Sequence, residues 1–223
     1  MRTAIIALLA CIGLAAAGGC GKWMRHGFGA QVTGSGKSIT ETRKVDAFEK
    51  ISVHGSMDCE VTVGPAQKVE VIGDDNIVPH VETRVEDGTL HIDLRKSVNT
   101  KSNLVVKVEV PSLSAYSIAG SGDGRITGIR ASEFAASISG SGDIQGSGSS
   151  DSITASIAGS GDIDLSKVAA KRATASISGS GDISLHAADS LKASIAGSGD
   201  IECFGGPKKV EKSVVGSGDV RVR

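Results

Sequence analysis

The residues most able to do chemistry are aspartates that recur at a nearly constant interval. Each closes a Gly-Ser-Gly-Asp tetrapeptide, and six copies of this tetrapeptide begin 18 to 20 residues apart. If the repeats stack as strands, the carboxylates form an outward column with a spacing of about 4.8 Å. Calcium prefers such clustered carboxylate oxygens. The candidate ligands are Asp143, Asp162, Asp164, Asp182, Asp200 and Glu202.

A second interpretation gives these aspartates a structural role. Aspartate side chains commonly hydrogen-bond the backbone at bends. The calcium-binding nonapeptide repeat also has a different period and more glycine than this chain. The sequence therefore favours no cofactor, with weak surface binding of calcium as the alternative.

The other polar residues do not form a recognisable catalytic set. The serines follow the polar side of the repeats without a Gly-x-Ser-x-Gly nucleophile motif, and the five histidines lack metal-ligand spacing. A net charge of −1 argues against nucleic-acid binding. The sequence thus predicts that the protein is not an enzyme. A polysaccharide-active β-helix enzyme is only a minor alternative. Such enzymes usually need long loops and aromatic residues that stack on sugar rings, whereas these repeats lack long loops and only 3% of residues are aromatic.

The elements that position the aspartates are strands of period two. From Ala173 to Leu185 every second residue is Ala, Ile, Leu or Gly, and the residues between them are Thr, Ser or Asp. A repeat of about 19–20 residues with this alternation predicts an all-β fold, a β-solenoid in which each coil pairs with the next. The two glycines of each tetrapeptide are expected to form the corner of the coil, where the opposite wall approaches closely.

The N-terminal half repeats less strictly but also alternates, for example from Ile51 to Val63. It predicts less regular β coils that cap one end of the stack. The final coil, from Ser213 to Arg223, has no obvious cap, so end-to-end self-association through this C-terminal edge is expected.

The first residues predict export. Residues 1–19 have a positive start, an apolar run and small residues, as a signal peptide does. Cleavage after Ala17 would release a soluble periplasmic or secreted protein, whereas Ala17-Gly18-Gly19-Cys20 resembles a lipobox and would make Cys20 a lipidated membrane anchor. Residues 20–33 are predicted to be a flexible tether and 34–223 the β-solenoid domain. Cys59 and Cys203 alternate with apolar residues and are predicted to be buried free thiols.

Several short segments before the repeats carry a resemblance to a known family. They are Gly34-Ser35-Gly36, Glu41–Val45, Phe48, Ile51-Ser52-Val53, Val61–Gly64, Asp74-Asp75-Asn76, Val85–Leu90 and Val110–Leu113. Together with the Gly-Ser-Gly-Asp coils they resemble the head GIN domain family, described as putative auto-transporter adhesins. The resemblance implies a β-helical domain in exported bacterial proteins, often lipoproteins, and implies no catalytic residues.

These observations predict a non-catalytic binding or adhesion module of the cell envelope. Its partner would be an envelope or surface ligand, and its location an outer-membrane lipoprotein, the periplasm or the cell surface. A periplasmic structural or envelope-stress accessory is the alternative function.

Overall fold

The computed structural model describes residues 31–223. The predicted signal peptide (1–19), the predicted lipidation of Cys20 and most of the predicted tether lie outside these residues. Val32 and Thr33 pair with Val98 and Asn99, so strand pairing begins two residues before the expected domain start at residue 34. No helix in the described part of the chain is long and apolar enough to cross a membrane.

Almost all of the regular structure is β. The first half contains β1 (Val32–Thr33), β2 (Ser38–Arg43), β3 (Lys50–Gly55), β4 (Asp58–Val63), β5 (Lys68–Asp74), a 3-10 helix (Val78–His80), β6 (Val81–Glu86), β7 (Thr89–Leu94), β8 (Val98–Asn99) and β9 (Val105–Val110). The second half contains β10 (Ala115–Gly120), β11 (Gly124–Gly140), β12 (Ile144–Gly159), β13 (Ile163–Gly179), β14 (Ile183–His186), β15 (Ser190–Gly197), β16 (Ile201–Phe204), β17 (Lys209–Gly216) and β18 (Val220–Val222).

The second half confirms the predicted β-solenoid. Each coil has one strand before a Gly-Ser-Gly-Asp corner and one strand after it, and both pair in parallel with the same strands of the next coil. The long strands β11, β12 and β13 continue around the third side of the coil. Residues at the same place in successive coils therefore form columns along the stack.

The inner columns form the core. One column of branched apolar side chains has at most 2% of each residue exposed; it contains Val53, Ile118, Ile138, Ile157, Ile177 and Ile195. Size changes in one column are compensated in another. Gly124 stands where the next four coils have isoleucine, and the ring of Tyr116 fills that space: a Cβ on Gly124 would lie 2.4 Å from Tyr116 Cε1.

The first half continues the stack in an exchanged order. The β3–β4 coil pairs with the β10–β11 coil on one side and with the β7–β9 coil, which comes later in sequence, on the other. Antiparallel strands then close this end: β6 covers β7, β5 covers β9, and β2 covers β5. The first half thus contributes less regular coils and a cap, as the sequence predicts.

One buried carboxylate ties the loops of this cap together. Asp74 is fully buried at the end of β5 and accepts hydrogen bonds from Gly36 N (2.9 Å), Lys101 N (2.8 Å) and Ser102 Oγ (2.9 Å). Burial alone would raise the pKa of Asp74, but these hydrogen bonds outweigh burial and lower it. As an ionised group, Asp74 therefore ties two separate loops, at Gly36 and at Lys101–Ser102, to the end of β5.

The corner glycines form two columns, and the structure corrects the reason expected for them. A Cβ on the first glycine of any tetrapeptide would lie 1.9 to 2.2 Å from the carbonyl oxygen of the equivalent glycine in the preceding coil. The first glycine of each tetrapeptide also has a φ between 129° and 147°, which side chains disfavour. The close approach is thus along the stack, between successive corners, and not across the coil.

Candidate binding face

The outer side of the strands before each corner carries a column of seven serines in register. Its members are Ser52, Ser117, Ser137, Ser156, Ser176, Ser194 and Ser213. Parallel pairing repeats their hydroxyls about every 4.8 Å along the stack. The period-two alternation forces this arrangement, because the residues on either side of each serine point into the core.

The columns on both sides of the serines contain small, uncharged side chains over the middle coils. They are Ala115, Ala135, Thr154 and Thr174 on one side, where Lys192 follows in the next coil, and Ala119, Ser139, Ala158, Ser178 and Ala196 on the other. We call these three columns the serine face. Small side chains in strict register make this face flat, and short side chains lose little entropy when a partner orders them.

The hydroxyls of the serine column are largely available to a partner. Within residues 31–223, the only hydrogen bond from this column to the protein is a long one, from Ser117 Oγ to Ile51 O (3.4 Å). Ser176 and Ser194 are exposed. Apart from Ser117, the face therefore presents an ordered row of donors and acceptors that the fold itself does not use.

Beside the serine face, the aspartates form a hydrogen-bonded ladder. Each carboxylate accepts the backbone N–H of the aspartate one coil further along, as in the bond from Asp182 N to Asp162 Oδ1 (2.8 Å). Six such bonds, of 2.7 to 3.1 Å, join Asp58, Asp123, Asp143, Asp162, Asp182, Asp200 and Asp219. This is the structural role that the sequence favours, although the backbone bonded is that of the next coil.

The ladder brings together only some of the candidate calcium ligands. Asp164 and Glu202 stand in the neighbouring outer column, and Asp164 Oδ1 accepts hydrogen bonds from the N–H (3.0 Å) and Oγ (2.6 Å) of Ser166. Across residues 31–223, no three His, Cys, Asp or Glu side chains are grouped as a metal site would require. Weak calcium binding stays a prediction, and the residues present offer it single free carboxylate oxygens, not a preformed cage.

Sequence reasoning missed the first step of the ladder, Asp58. It closes Gly55-Ser56-Met57-Asp58, which differs from the repeat by one residue. A side chain is tolerated at Met57 because the coil that packs against it has a longer loop instead of a glycine corner. The same openness is seen at Gly55, where a Cβ would meet only side chains, at 3.5 Å or more. A search that tolerated one mismatch would have found this seventh corner.

Charged residues limit the serine face at its N-terminal end. His54 Nδ1 lies 2.8 Å from Asp93 Oδ1, and Arg84 contacts the other oxygen of Asp93. The ring of His91 stacks against that of His54, with centroids 6.3 Å apart. These side chains come from β3, β6 and β7, so the cluster appears only when the cap has folded.

The two cysteines of the domain are buried and free, as predicted. Cys59 lies in an inner column next to Tyr116, and burial raises the pKa of its thiol to about 12. Burial also raises the pKa of the Cys203 thiol. Both thiols are therefore protonated and unreactive at neutral pH, and behave as small core residues.

An open cavity lies at the first corner, away from the serine face. It measures about 540 Å³ and is lined by the loop of residues 95–104 together with Ser56 and Asp58. Its charged lining groups, Asp58, Arg95 and Lys96, do not pair a nucleophile with a base.

The comparisons with known proteins agree with this architecture. The family profile described as "Putative auto-transporter adhesin, head GIN domain" matches residues 47–207. No curated protein matches the chain. A protein of Bacteroides fragilis described as a putative adhesin has 26% identity and a TM-score of 0.68, covering 86% of this chain and 100% of its own.

Two proteins of Parabacteroides distasonis have similar structures. One is described as a putative lipid binding protein; it has 25% identity and a TM-score of 0.58, over 86% of this chain and 99% of its own. The other is described as a putative adhesin and shares the fold at 24% identity, with a TM-score of 0.58 over 86% of this chain and 100% of its own. Because the family profile matches most of the chain, this protein belongs to the head GIN domain family.

Proposed function

We propose that this protein is a non-catalytic adhesion module of the bacterial cell envelope and that it binds its partner through the serine face. The observation that carries the proposal is the seven-serine column, whose hydroxyls are in register and, apart from the long bond of Ser117, make no hydrogen bond within the described chain. The adhesin-like family and the similar adhesin structure support the same class of function.

The chemistry of the face indicates the kind of surface it would meet. A flat array of hydroxyls without charged groups in its middle coils suits a partner that offers many weak hydrogen bonds, such as a hydroxyl-rich polymer. Each contact contributes little, so affinity would come from repetition along the stack. This mode of binding needs no deep cavity and no aromatic platform.

Binding can be tested with a matched pair of variants in one coil. Ser156→Lys places a long charged side chain in the serine column, whereas Ser149→Lys makes the same change on the exposed third side of the same coil. We expect Ser156→Lys to reduce retention on cellulose, agarose or mucin-coated beads, and Ser149→Lys to behave as wild type. Equal retention of both variants and wild type would contradict the proposal.

The location is proposed together with the function. We propose that the chain is exported and anchored through a lipidated Cys20, with the solenoid exposed outside the outer membrane. Treating intact cells with an impermeant biotin reagent, with a periplasmic marker as control, tests exposure directly. If the protein is labelled, the adhesion role stands. If labelling requires a broken outer membrane, a periplasmic structural or envelope-stress role replaces it.

Calcium is a separate question and is tested on the purified protein. Calorimetry at millimolar calcium measures whether the free carboxylate oxygens of the aspartate ladder take up the ion. Heat of binding that is present in wild type and disappears in the double variant Asp162→Asn, Asp182→Asn would support the predicted weak site. Absence of any heat of binding in wild type would contradict it.

A further inference from the structure

The open cavity between residues 55–58 and the loop of residues 95–104, which we call the corner cavity, takes the place of a packed corner. Each later corner packs directly on the one before it, so that a Cβ on Gly122 would lie 1.9 Å from Met57 O. The first corner instead faces the coil of β7 and β9, whose two strands are joined by the longer loop. This loop leaves a space of about 540 Å³ beside Ser56.

The backbone of the first corner offers a hydrogen-bond donor to this cavity. At each later corner the serine N–H donates to the first glycine of the corner before it. Ser121 N donates to Gly55 O (3.0 Å), for example, and Ser141 N to Gly120 O (2.9 Å). Ser56 is the equivalent serine of the first corner, and its N–H has no acceptor within residues 31–223. Because the cavity lies where the preceding corner would be, this N–H is available to a ligand.

The loop on the opposite side of the cavity is held in place by the cap. Arg95 N donates to His80 O (3.0 Å), and the Arg95 guanidinium binds both carboxylate oxygens of Glu82 (2.6 and 2.7 Å). Further along the loop, Lys101 N donates to the buried Asp74 (2.8 Å). Because this wall is fixed before a ligand arrives, binding requires little further ordering of the chain.

The polar side chains that line the corner cavity are short, and the fold leaves most of them unused. Three hydroxyls and one amide make no hydrogen bond to any residue of the described chain; they belong to Ser56, Ser97, Thr100 and Asn103. Asp58 accepts Asp123 N with Oδ1 (3.0 Å), so its second carboxylate oxygen is available. The apolar part of the lining consists of Leu94, Val98 and Leu104.

The charges around the cavity balance each other. Asp58 is negative, whereas Lys96 is positive and forms no ion pair within residues 31–223; the third charged group, Arg95, is neutralised by Glu82. A ligand with a strong charge of either sign would therefore meet a like charge. Mixed donors and acceptors beside an apolar strip match the hydroxyls and the C–H groups of a sugar ring. The volume also lies within the range of small-molecule sites, about 300–1,000 Å³.

We infer that the corner cavity is a binding site for an uncharged mono- or disaccharide unit. The Ser56 N–H and the Asn103 amide donate to sugar hydroxyls, and the second oxygen of Asp58 accepts from one. This site is separate from the serine face and does not rest on the function proposed for that face. A cavity that encloses a sugar ring can discriminate between sugars, which a flat row of hydroxyls does poorly.

The test is titration of the purified protein with glucose, galactose, mannose and N-acetylglucosamine, followed by saturation-transfer NMR. At least one of the four sugars is expected to bind. Asn103→Leu and Asp58→Asn should each weaken binding of that sugar by about tenfold or more, because each removes a hydrogen-bonding or charged group from the cavity. Asp58→Asn keeps an acceptor for Asp123 N, so the ladder stays intact. The matched controls are Asn99→Leu, in the same loop but outside the lining, and Asp123→Asn, one coil further along the ladder.

The inference is overturned if none of the four sugars binds, or if both cavity variants bind as tightly as their controls. Glucuronate that binds more tightly than glucose would overturn the assignment of an uncharged ligand. Ser156→Lys, on the serine face, should bind the soluble sugar as wild type does. A protein whose bead retention depends on Ser156 but that binds no soluble sugar thus loses only the corner cavity. Sugar binding together with bead retention that Ser156→Lys does not change loses only the serine face.

Discussion

The two halves of this molecule reach the same β-coil geometry by different means. The C-terminal coils use one small set of contacts again and again: stacked corner glycines, the aspartate ladder and inner columns of isoleucine. The N-terminal half uses contacts that occur once, such as the buried Asp74 and the ion pair between Arg95 and Glu82. Stability is therefore spread evenly through the repeats and concentrated at a few residues in the cap.

The difference has a physical cause. Each regular coil packs on the coil before it through the same contacts, because every coil offers the same surface to the next. The first coils have to end the stack, so they need antiparallel strands and specific polar contacts to satisfy edge groups that no further coil covers. The effects of substitutions on the free energy of unfolding should consequently differ between the two halves in magnitude and in pH dependence.

The largest effect is expected from adding one methyl group at a corner. In Gly159→Ala the new Cβ would lie 2.1 Å from Gly140 O, at a φ of 144°. Both backbones have to move, so we expect a loss of about 3 kcal/mol or more in the free energy of unfolding, measured in urea. Gly206→Ala is the control: it also has a positive φ (63°), but its Cβ meets nothing within 4 Å, and it should cost only about 1 kcal/mol. Equal losses would show that stacking of the corners is not what requires glycine.

The next largest effect is expected at Asp74 in the cap. Asp74→Asn removes the charge and replaces one of the two oxygens that accept four hydrogen bonds, so the cap should unfold at a lower urea concentration than in wild type. Because the pKa of Asp74 is lowered in the folded protein, its contribution is present above the pKa of an unfolded aspartate, about 3.9, and is lost as the pH falls through the folded value.

The difference in stability between wild type and Asp74→Asn should therefore be constant near neutral pH and shrink below about pH 4. Urea unfolding of both proteins across this range measures it. A difference that does not change with pH would mean that Asp74 is not ionised in the folded cap.

A smaller effect is expected within the aspartate ladder. Asp162→Ala leaves Asp182 N without its acceptor and should cost about 1 kcal/mol. Asp162→Asn keeps an acceptor oxygen and removes one of a row of like charges, so its stability should equal or exceed that of wild type. Thermal unfolding of the two variants separates the roles of the hydrogen bond and the charge. An Asn variant as unstable as the Ala variant would contradict the stabilising role of the hydrogen bonds in the ladder.

The smallest effect on stability is expected on the serine face. Ser176→Lys changes an exposed side chain with no partner in the described chain, so the free energy of unfolding should stay within about 0.5 kcal/mol of the wild-type value. A larger loss, measured by urea unfolding, would show that the column is needed for folding and would weaken its assignment as a binding face.

Much of the fold follows from local sequence patterns. The alternation around Ile177 predicts which side chains are buried, and the constant interval between tetrapeptides predicts that coils stack in register. Both features are local or periodic, so a single sequence contains them. The serine column and the aspartate column follow from the same two observations.

The remainder depends on which distant segments meet. The contact of β3 with β7, the burial of Asp74 and the cluster of His54 with Asp93 join residues far apart in an irregular region, where no repeat indicates the partner. Asp58 was the exception, since its corner differs from the repeat only at Met57.

The exchanged order of the first coils has a consequence for how the protein folds. The strands β3 and β4 lie between a coil made of later residues, β7 and β9, and the coil of β10 and β11. Residues 50–63 therefore have neither neighbouring coil in place until residues 89–127 have reached them. Every later coil can dock on a finished one at once. The slow step of folding should thus be assembly of the N-terminal coils, whose contacts are distant in sequence. The repeats then add one after another, each on the coil before it.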